Sequence, residues 1–184
     1  MLSSKELKRV MAICVTMQNG KRNRLMLILS HYARMRVGEI ASLKWADELD
    51  KDLKPKVMFY LKAENTKAKE ARQVHLNAKL QKELASYWAQ LNRWKKPERP
   101  VIQSEKGGHF TPNSMVQAFA RVFDAAGIED ASSHSGRRWF IKLMAHAGVS
   151  PKVIMELAGH KQFTTTQRYI DVTDEQKRSV VDLL

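Results

Sequence analysis

The stretch HSGRRWFIKLMAHAGVSPKVIMELAGHKQFTTTQRY, from His134 to Tyr169, is the most informative part of this chain. It opens with a His-x-x-Arg pattern that ends at Arg137, and further along His160 follows a glycine. Tyr169 closes the stretch. A guanidinium, imidazoles and a phenol are the groups that a phosphodiester needs if a tyrosine is to attack it without a metal. The stretch therefore predicts cleavage of a DNA strand by a tyrosine nucleophile.

Attack by a tyrosine on a phosphodiester has three physical requirements. The non-bridging oxygens gain charge in the transition state and need positioned cations. A phenol ordinarily ionises at a pKa of about 10, so it needs neighbours that favour the phenolate or accept its proton. The departing 5′ oxygen needs a proton from a general acid. Arg137 suits the first requirement, because the planar fork of an arginine holds two phosphate oxygens at once.

The chain carries a large excess of positive charge. Its 184 residues include 32 Lys and Arg against 19 Asp and Glu, which gives a formal net charge of +13 at pH 7. Basic side chains attract a polyanion at long range and release counterions from a phosphate backbone. Charge alone leaves DNA, RNA and an anionic membrane open as partners, and it favours nucleic acid.

Composition limits the class of protein further. No apolar run approaches the roughly 20 residues of a membrane span, and the N-terminal MLSSKELKRV is polar where a signal peptide has an apolar block. One cysteine, Cys14, excludes an internal disulfide and fits a reducing cytosol. His31, His75, His109 and His146 show no ligand spacing with one another or with Cys14, so we expect no metal and no other cofactor. The sequence predicts a soluble, cytoplasmic protein with no membrane partner.

Helical spacing of apolar residues recurs along most of the chain. The segment SSKE at residues 3–6 predicts a capping box, and the apolar residues after it keep helical spacing until Asn19 and Gly20. Thr111 and Pro112 predict the start of another helix, since proline suits the first helical position. Other helices are predicted at about residues 21–34, 38–43, 78–93, 135–147, 151–158 and 164–170, with a last one beginning at Thr173.

The pattern changes between residues 45 and 76. Segments 57–61 and 72–76 are rich in residues typical of strands, and a polar, basic connection separates them. A small antiparallel sheet is the simplest interpretation. The sequence shows no internal repeat and no linker that would divide two domains. The predicted fold is α+β, mainly helical with one small antiparallel β-sheet, in a single domain over residues 1–184.

These motifs resemble the catalytic domain of the tyrosine recombinases, or phage integrases, over essentially the whole chain. The family's first arginine lies in a segment like G-L-R-x-S-E-L that is followed by L-x-W-x-D. Here RVGEI at residues 36–40 and LKWAD at 43–47 match it and identify Arg36. The family's lysine lies in a T-K-x-x-x-x-R-x-V-x-L hairpin, which matches residues 66–76 and identifies Lys67. His134, Arg137, His160 and Tyr169 match its H-x-x-R, G-H and T-T-x-x-Y motifs.

The resemblance implies a role for each of these residues. Tyr169 would form a 3′-phosphotyrosine and release a 5′ hydroxyl. Arg36, Arg137 and His160 would hold the phosphate, and Lys67 would protonate the leaving oxygen. The remaining roles are proton transfer near the nucleophile for His134 and orientation of the site for Glu39. The family acts on double-stranded DNA in a tetrameric synapse without metal or nucleotide, so we expect a tetramer on DNA and a monomer without it.

The chain departs from the family pattern at several positions. Arg34 stands where the family has a small residue near the first arginine, and Ser135-Gly136 and Arg138 replace common residues in and after H-x-x-R. These changes concern substrate preference and local packing more than activity. Most relatives also carry an N-terminal helical core-binding domain that closes a clamp around DNA. That domain is absent here, so we expect either a fragment of a longer recombinase, which we favour, or a naturally short member.

Two alternatives to a bacterial or phage-encoded recombinase stay open at this stage. A type IB topoisomerase uses nearly the same chemistry, although the compact spacing and the TTTQRY segment favour a recombinase. A non-catalytic DNA-binding module of the same fold is the alternative from another class. The apolar C-terminal tail, residues 171–184, is interpreted equally well as a helix that docks on a neighbouring protomer or as part of the chain's own core.

Overall fold

The computed structural model describes residues 2–66, 69–92, 95–170 and 174–182, except for the side chains of residues 175, 176, 179 and 180. Helices account for most of this part of the chain and one hairpin for the rest of its regular structure. In chain order the elements are α1 (Ser4–Thr16), α2 (Gly20–Tyr32), α3 (Val37–Ser42), α4 (Trp45–Glu48), β1 (Met58–Leu61), β2 (Arg72–His75), α5 (Ala78–Ala89), α6 (Pro112–Ala125), α7 (Ser135–His146), α8 (Pro151–Ala158), α9 (Phe163–Gln167) and α10 (Asp174–Val181).

The predicted starts of α1 and α6 are confirmed. The hydroxyl of Ser3 accepts a hydrogen bond from the backbone N–H of Glu6, whose carboxylate accepts one from the N–H of Ser3 in return. Thr111 caps α6 in the same way through Ser114, and Pro112 occupies its first turn. These side chains satisfy N–H groups that have no partner within the helix. Local sequence therefore determines where α1 and α6 begin.

The central helix of the main core is α2. It contacts α1, α5, α6 and α7, and residues 25–31 within it are all buried. Cys14 of α1 packs into this core with no exposed surface, and burial raises the pKa of its thiol to about 11. Desolvation disfavours the thiolate, so this cysteine is a structural residue. No helix of the described ranges is both long and apolar enough to cross a bilayer.

The predicted antiparallel sheet is confirmed. Phe59 of β1 pairs with Val74 of β2, and Tyr60 pairs with Gln73. The first pair is buried against the core and the second is exposed, as the period of two in a strand requires. The connection begins with a single 3-10 turn at Ala63–Asn65. The inward-facing pair therefore anchors the hairpin to the core.

A second, smaller apolar cluster joins the C-terminal helices. Phe140 and Ile141 of α7 pack with Ile154 and Ala158 of α8, and partly buried residues including Tyr169 pack against them. Leu143, an apolar residue on α7, is 42% exposed. Contacts between α2 and α7 join this cluster to the main core. The fold is thus α+β and mainly helical, as the sequence predicts.

Candidate active site

Arg36, the first predicted phosphate-binding arginine, lies at the N-terminus of α3. Its backbone N–H donates to a carboxylate oxygen of Glu39 at 2.7 Å, and its Nη1 donates to the other at 3.0 Å. Its Nη2 donates to the carbonyl oxygen of Gly159, far away in sequence, at 2.9 Å. The side chain is still 22% exposed. Arg36 is therefore held from two sides and keeps a surface open to solvent.

Glu39 is the buried carboxylate that organises this end of the molecule. Its side chain is 1% exposed and also accepts two hydrogen bonds from Arg72 of β2, from Nε at 3.0 Å and from Nη2 at 2.5 Å. Burial by itself raises the pKa of this carboxyl, but the hydrogen bonds and charges of Arg72 and Arg36 outweigh it and hold the pKa below its ordinary value. Glu39 thus stays ionised and accepts hydrogen bonds from two arginines.

Arg137, on the first turn of α7, is almost fully buried at 7% exposure. Its Nη1 donates to the carbonyl oxygen of Arg34 at 3.0 Å, and its Nη2 donates to the carbonyl oxygen of Ala158. Burial lowers the pKa of its guanidinium to about 9, and the positive charge of Arg36 adds to this effect. The charge of Glu39 offsets part of this effect, but no carboxylate among the described residues forms an ion pair with Arg137. A buried cation in this state is suited to bind an anion.

The C-terminus of α8 connects both predicted phosphate-binding arginines to His160. Arg137 bonds the carbonyl of Ala158, Arg36 bonds that of Gly159, and His160 follows directly. Gly159 ends the helix in the left-handed region, with φ of +60°, which a glycine adopts without strain. A Cβ at this position would lie 2.8 Å from Cδ of Arg72. The glycine that the sequence singled out therefore serves both the turn and the close approach of an arginine.

His160 is held in place by Thr166, a residue that received no role of its own from the sequence. Its Nδ1 lies 2.8 Å from the hydroxyl oxygen of Thr166. Burial lowers the pKa of the imidazole to about 4, and the charges of Arg137 and Arg36 contribute. The ring is therefore neutral at neutral pH. At the start of the helix of Thr166, α9, Gln162 occupies the N-cap without a side-chain hydrogen bond.

Tyr169 lies just beyond the C-terminus of α9 rather than within a helix running to residue 170. Its backbone N–H donates to the carbonyl oxygen of Thr166 at 3.0 Å. Its side chain is partly buried against the cluster of Phe140, Ile141, Ile154 and Ala158. The predicted nucleophile is therefore carried on the same short segment as the partner of His160.

An open groove with a volume of about 730 Å³ lies beside Arg36, and its lining does not include Arg137, His160 or Tyr169. His134, exposed at the start of α7, lines it together with Arg36, Glu39 and Thr66. His134 and Arg137 are three positions apart, but His134 faces the groove while Arg137 is buried. Lys67, the predicted general acid, lies outside the described residues.

Two contacts of the site could not be predicted from the sequence. Arg72 was recognised only as part of the hairpin motif. Glu39 nevertheless accepts two hydrogen bonds from Arg72, as many as it accepts from Arg36. Thr166 was one of three adjacent threonines, and nothing in the sequence separates them. In both cases the decisive partner lies on another element, so spacing along one element carries no signal for it.

The site combines several cations with few acids. We call Arg34, Arg36, Arg72 and Arg137 the arginine cluster, because the charges of the other three all lower the pKa of Arg137. Within the described ranges, Glu39 is the carboxylate that forms ion pairs with members of this cluster. Such an arrangement can bind an anion with charge-assisted hydrogen bonds and stabilise further negative charge on it.

Comparison with known proteins identifies the family of this chain. The family model described as the phage integrase family matches residues 1–176. The chain is 30% identical over 170 residues to the tyrosine recombinase XerC of Myxococcus xanthus, a match that covers 89% of this chain and 54% of that protein. The chain therefore belongs to the phage integrase family. It spans about half the length of this relative.

Solved structures show the same fold. The crystal structure of XerA recombinase superposes with a TM-score of 0.77 at 22% identity, covering 99% of this chain and 64% of that one. The XerH site-specific recombinase, in a pre-cleavage complex with its difH substrate, gives a TM-score of 0.72 at 20% identity, covering 98% of this chain and 52% of that one. The described architecture is that of a tyrosine recombinase catalytic domain.

Proposed function

We propose that this chain is the catalytic domain of a site-specific DNA recombinase in which Tyr169 attacks the scissile phosphate. A bond forms between the phenolic oxygen and phosphorus while the bond from phosphorus to the 5′ oxygen breaks. The phenol loses its proton and the leaving oxygen gains one. The products are a 3′-phosphotyrosine and a free 5′ hydroxyl, and the reverse reaction with another 5′ hydroxyl rejoins the strands.

One observation carries this proposal: both predicted phosphate-binding arginines bond the carbonyls that immediately precede His160. Arg137 reaches Ala158 and Arg36 reaches Gly159, so three donors that are far apart in sequence converge on one turn of the chain. Arg36 and Arg137 would neutralise the non-bridging oxygens, and the neutral imidazole of His160 would donate a hydrogen bond to one of them. Glu39 keeps Arg36 oriented and is not itself a ligand of the phosphate.

Lys67 is proposed as the general acid for the leaving 5′ oxygen. The described residues on either side of it support this role. Thr66 lines the groove beside Arg36 and His134. Glu70 accepts a hydrogen bond at 2.7 Å from Lys161, the residue after His160. A DNA in which sulfur replaces the bridging 5′ oxygen tests the role, because a thiolate leaves without a proton. Lys67→Ala should cleave ordinary DNA slowly and this sulfur-containing DNA at nearly the wild-type rate.

The proposed partner is double-stranded DNA, and the proposed working assembly is a tetramer formed on it. The net charge of +13 supports a polyanionic partner. His134, exposed in the groove, is placed to assist proton transfer once DNA is bound. Helix α10 is proposed to dock on a neighbouring protomer, with Val181 66% exposed at its end. We infer a cytoplasmic protein of bacterial or phage origin.

A pool of duplexes with a nick and randomised flanking sequence tests the chemistry when the target sequence is not known. Cleavage next to the nick releases a short oligonucleotide, so the covalent adduct is trapped and its DNA can be sequenced. Wild-type protein should form an adduct that survives detergent, and Tyr169→Phe should form none. Tyr60→Phe, at a 58% exposed tyrosine on β1, is the matched control and should behave as wild type.

The same experiment separates the alternatives. An adduct with Tyr169→Phe at the wild-type level would contradict the nucleophile assignment. Binding to the pool without any adduct would support a non-catalytic module. Adducts with no enriched sequence, together with relaxation of any supercoiled plasmid, would support a topoisomerase. An enriched sequence motif supports a site-specific recombinase.

A further inference from the structure

Arg34 has an unusual backbone conformation for an arginine. It lies between α2 and α3 with φ of +56°, in the left-handed region that residues with a side chain seldom adopt. Its carbonyl oxygen accepts the hydrogen bond from Nη1 of Arg137 at 3.0 Å. That contact accounts for the backbone conformation, since it directs the carbonyl toward Arg137. It does not account for the arginine side chain, because a glycine would present the same carbonyl without strain.

The side chain of Arg34 is buried, and two of its three nitrogens have no hydrogen-bond partner among the described residues. The residue is 4% exposed, and its Nε and Nη2 are shielded from solvent and donate to no described residue. The guanidinium lies over the ring of Phe140, with 4.7 Å between its central carbon and the ring centroid. A cation–π contact compensates for only part of the lost hydration of a buried cation. The described contacts of Arg34 therefore do not offset the free-energy cost of removing its guanidinium from water.

The surroundings of Arg34 increase that cost. Burial lowers the pKa of its guanidinium to about 10, and the charge of Arg72 adds to the effect. The carboxylate of Glu39 is engaged by Arg36 and Arg72, and Arg137 bonds carbonyl oxygens. Among the residues that the structure describes, no carboxylate forms an ion pair with Arg34. A buried cation beside other cations is stabilised when an anion enters.

Phe140 shows on which side of the site Arg34 lies. It is a member of the second apolar cluster, against which Tyr169 packs. Its position on α7 is three residues after Arg137, so the two side chains project from neighbouring turns of one helix face. Through its contact with the Phe140 ring, Arg34 thus adjoins the apolar cluster against which Tyr169 packs.

We propose that Arg34 supplies an additional guanidinium to the phosphate-binding site, and that a DNA phosphate at the cleavage position is its missing partner. This inference rests on the proposed function. Arg36 and Arg137 would contact the phosphate from the side of α8, and Arg34 would act from the side where Tyr169 packs. The additional charge would further stabilise the negative charge that develops during attack.

Substrates with a methylphosphonate, which lacks one charged oxygen, provide the direct test. They are made from a duplex selected with the nicked pool, with the change at the scissile phosphate or at the neighbouring one. Arg34→Met should slow adduct formation on ordinary DNA by about 10-fold or more, somewhat less than the roughly 10²–10³-fold loss of one direct oxyanion donor. On DNA with the methylphosphonate that Arg34 faces, the same variant should differ from wild type by less than about threefold, because the interaction energy is already lost.

Two further variants separate charge from structure. Arg34→Gly removes the cation and relieves the backbone strain, so it should fold at least as stably as Arg34→Met and cleave as slowly. Arg121→Met removes the same charge from an exposed position on α6, beside the N-terminal end of α2, and should cleave like wild type. If Arg34→Met lost the same factor on all three DNAs, or lost nothing on ordinary DNA, the inference would be wrong.

A measurement without DNA distinguishes failure of this inference from failure of the proposed function. Sulfate can occupy a phosphate site, so it should raise the melting temperature of the wild type more than that of Arg34→Met at matched ionic strength. Equal responses of the two proteins, whatever their size, would contradict a role for Arg34 in anion binding. Absence of any covalent adduct with wild-type protein would instead contradict the proposed function.

Discussion

The hydroxyl oxygen of Thr166 lies 2.8 Å from Nδ1 of His160. Thr166 has no exposed surface, and its carbonyl oxygen accepts the backbone hydrogen bond of Tyr169. One buried residue therefore contacts both a proposed phosphate ligand and the segment of the proposed nucleophile. Because the imidazole is neutral at neutral pH, the position of its proton matters. When the hydroxyl donates to Nδ1, the proton of the ring is on Nε2, where it can be donated to a phosphate oxygen.

Thr166→Val should slow cleavage while leaving the fold intact. Valine has nearly the same shape but no hydroxyl, so the imidazole loses its partner. One hydrogen bond contributes about 0.5–1.5 kcal/mol, which predicts a loss of about 2–10-fold in the single-turnover rate of adduct formation. Thr166→Ser keeps the hydroxyl and is the control, expected within about twofold of wild type. Equal rates for the serine and valine variants would show that the contact does not serve catalysis.

Gly159→Ala should impair both folding stability and cleavage. Any residue with a Cβ is strained at φ of +60°, at a cost of about 1–2 kcal/mol. A Cβ there would also meet Arg72, 2.8 Å away, and so disturb the ion pair with Glu39. Gly148→Ala is a matched control, because its φ is +71° and a Cβ would meet nothing within 4 Å.

Denaturant unfolding should show a similar strain cost for both alanine variants, with a further loss for Gly159→Ala. Cleavage should be slowed in Gly159→Ala alone. If Gly148→Ala slowed cleavage as much, loss of stability rather than displacement of Arg72 would explain the effect.

The sequence predicted those features of the fold that are encoded locally. The capping box at Ser3, the start of α6 at Thr111 and the pairing of β1 with β2 each depend on residues within one element or one hairpin. Their physical causes are capping, periodicity and strand propensity, which can be recognised in a short window. The candidate site residues Arg36, Arg137, His160 and Tyr169 were identified by motif. In the structure both arginines bond carbonyls at the C-terminus of α8, directly before His160, and His160 contacts the segment that carries Tyr169.

The remaining features depend on contacts between distant elements. Arg72 meets Glu39 across 33 positions of sequence, and Arg34 meets Arg137 across 103. Nothing in the neighbourhood of either arginine indicates that it is buried, because basic residues are usually exposed. Leu143 is the opposite case, because an apolar residue at helical spacing usually lies in the core and this one is exposed. Contacts with residues on other elements determine whether these side chains are buried or exposed.

Gly136→Ala should destabilise the protein by displacing α7 from α2. A Cβ at Gly136 would lie 2.6 Å from Nδ1 of His31 and 2.7 Å from the hydroxyl of Ser30, both of which are buried. Overpacking of this kind costs about 1–3 kcal/mol of unfolding free energy. Because Arg137 is the next residue, the displacement should also slow cleavage.

Gly38→Ala is the control for this substitution. A Cβ at Gly38, inside α3, would meet nothing within 4 Å, so alanine should be neutral or stabilising by up to about 1 kcal/mol. Urea unfolding of the two variants provides the comparison. A Gly136→Ala protein as stable as wild type would mean that His31 and Ser30 yield to the added methyl group.

Glu48→Gln should stabilise the protein increasingly as the pH rises. Glu48 is fully buried, neither carboxyl oxygen has a hydrogen-bond partner among the described residues, and burial raises its pKa from 4.5 to about 8, with a contribution from Asp47. Because the folded-state pKa lies above the unfolded one, the stability linked to the bound proton is complete below about pH 4.5 and is lost as the pH rises toward 8. Glutamine has the shape of the protonated acid but cannot ionise in the unfolded chain. The variant should therefore match wild type near pH 4.5 and exceed its unfolding free energy by at least about 1 kcal/mol at pH 8, since one unit of pKa corresponds to about 1.4 kcal/mol.

Urea unfolding at several pH values measures the difference, with Glu129→Gln at an exposed position as the control. A difference between Glu48→Gln and wild type that stayed constant across this range would show that Glu48 does not titrate with folding.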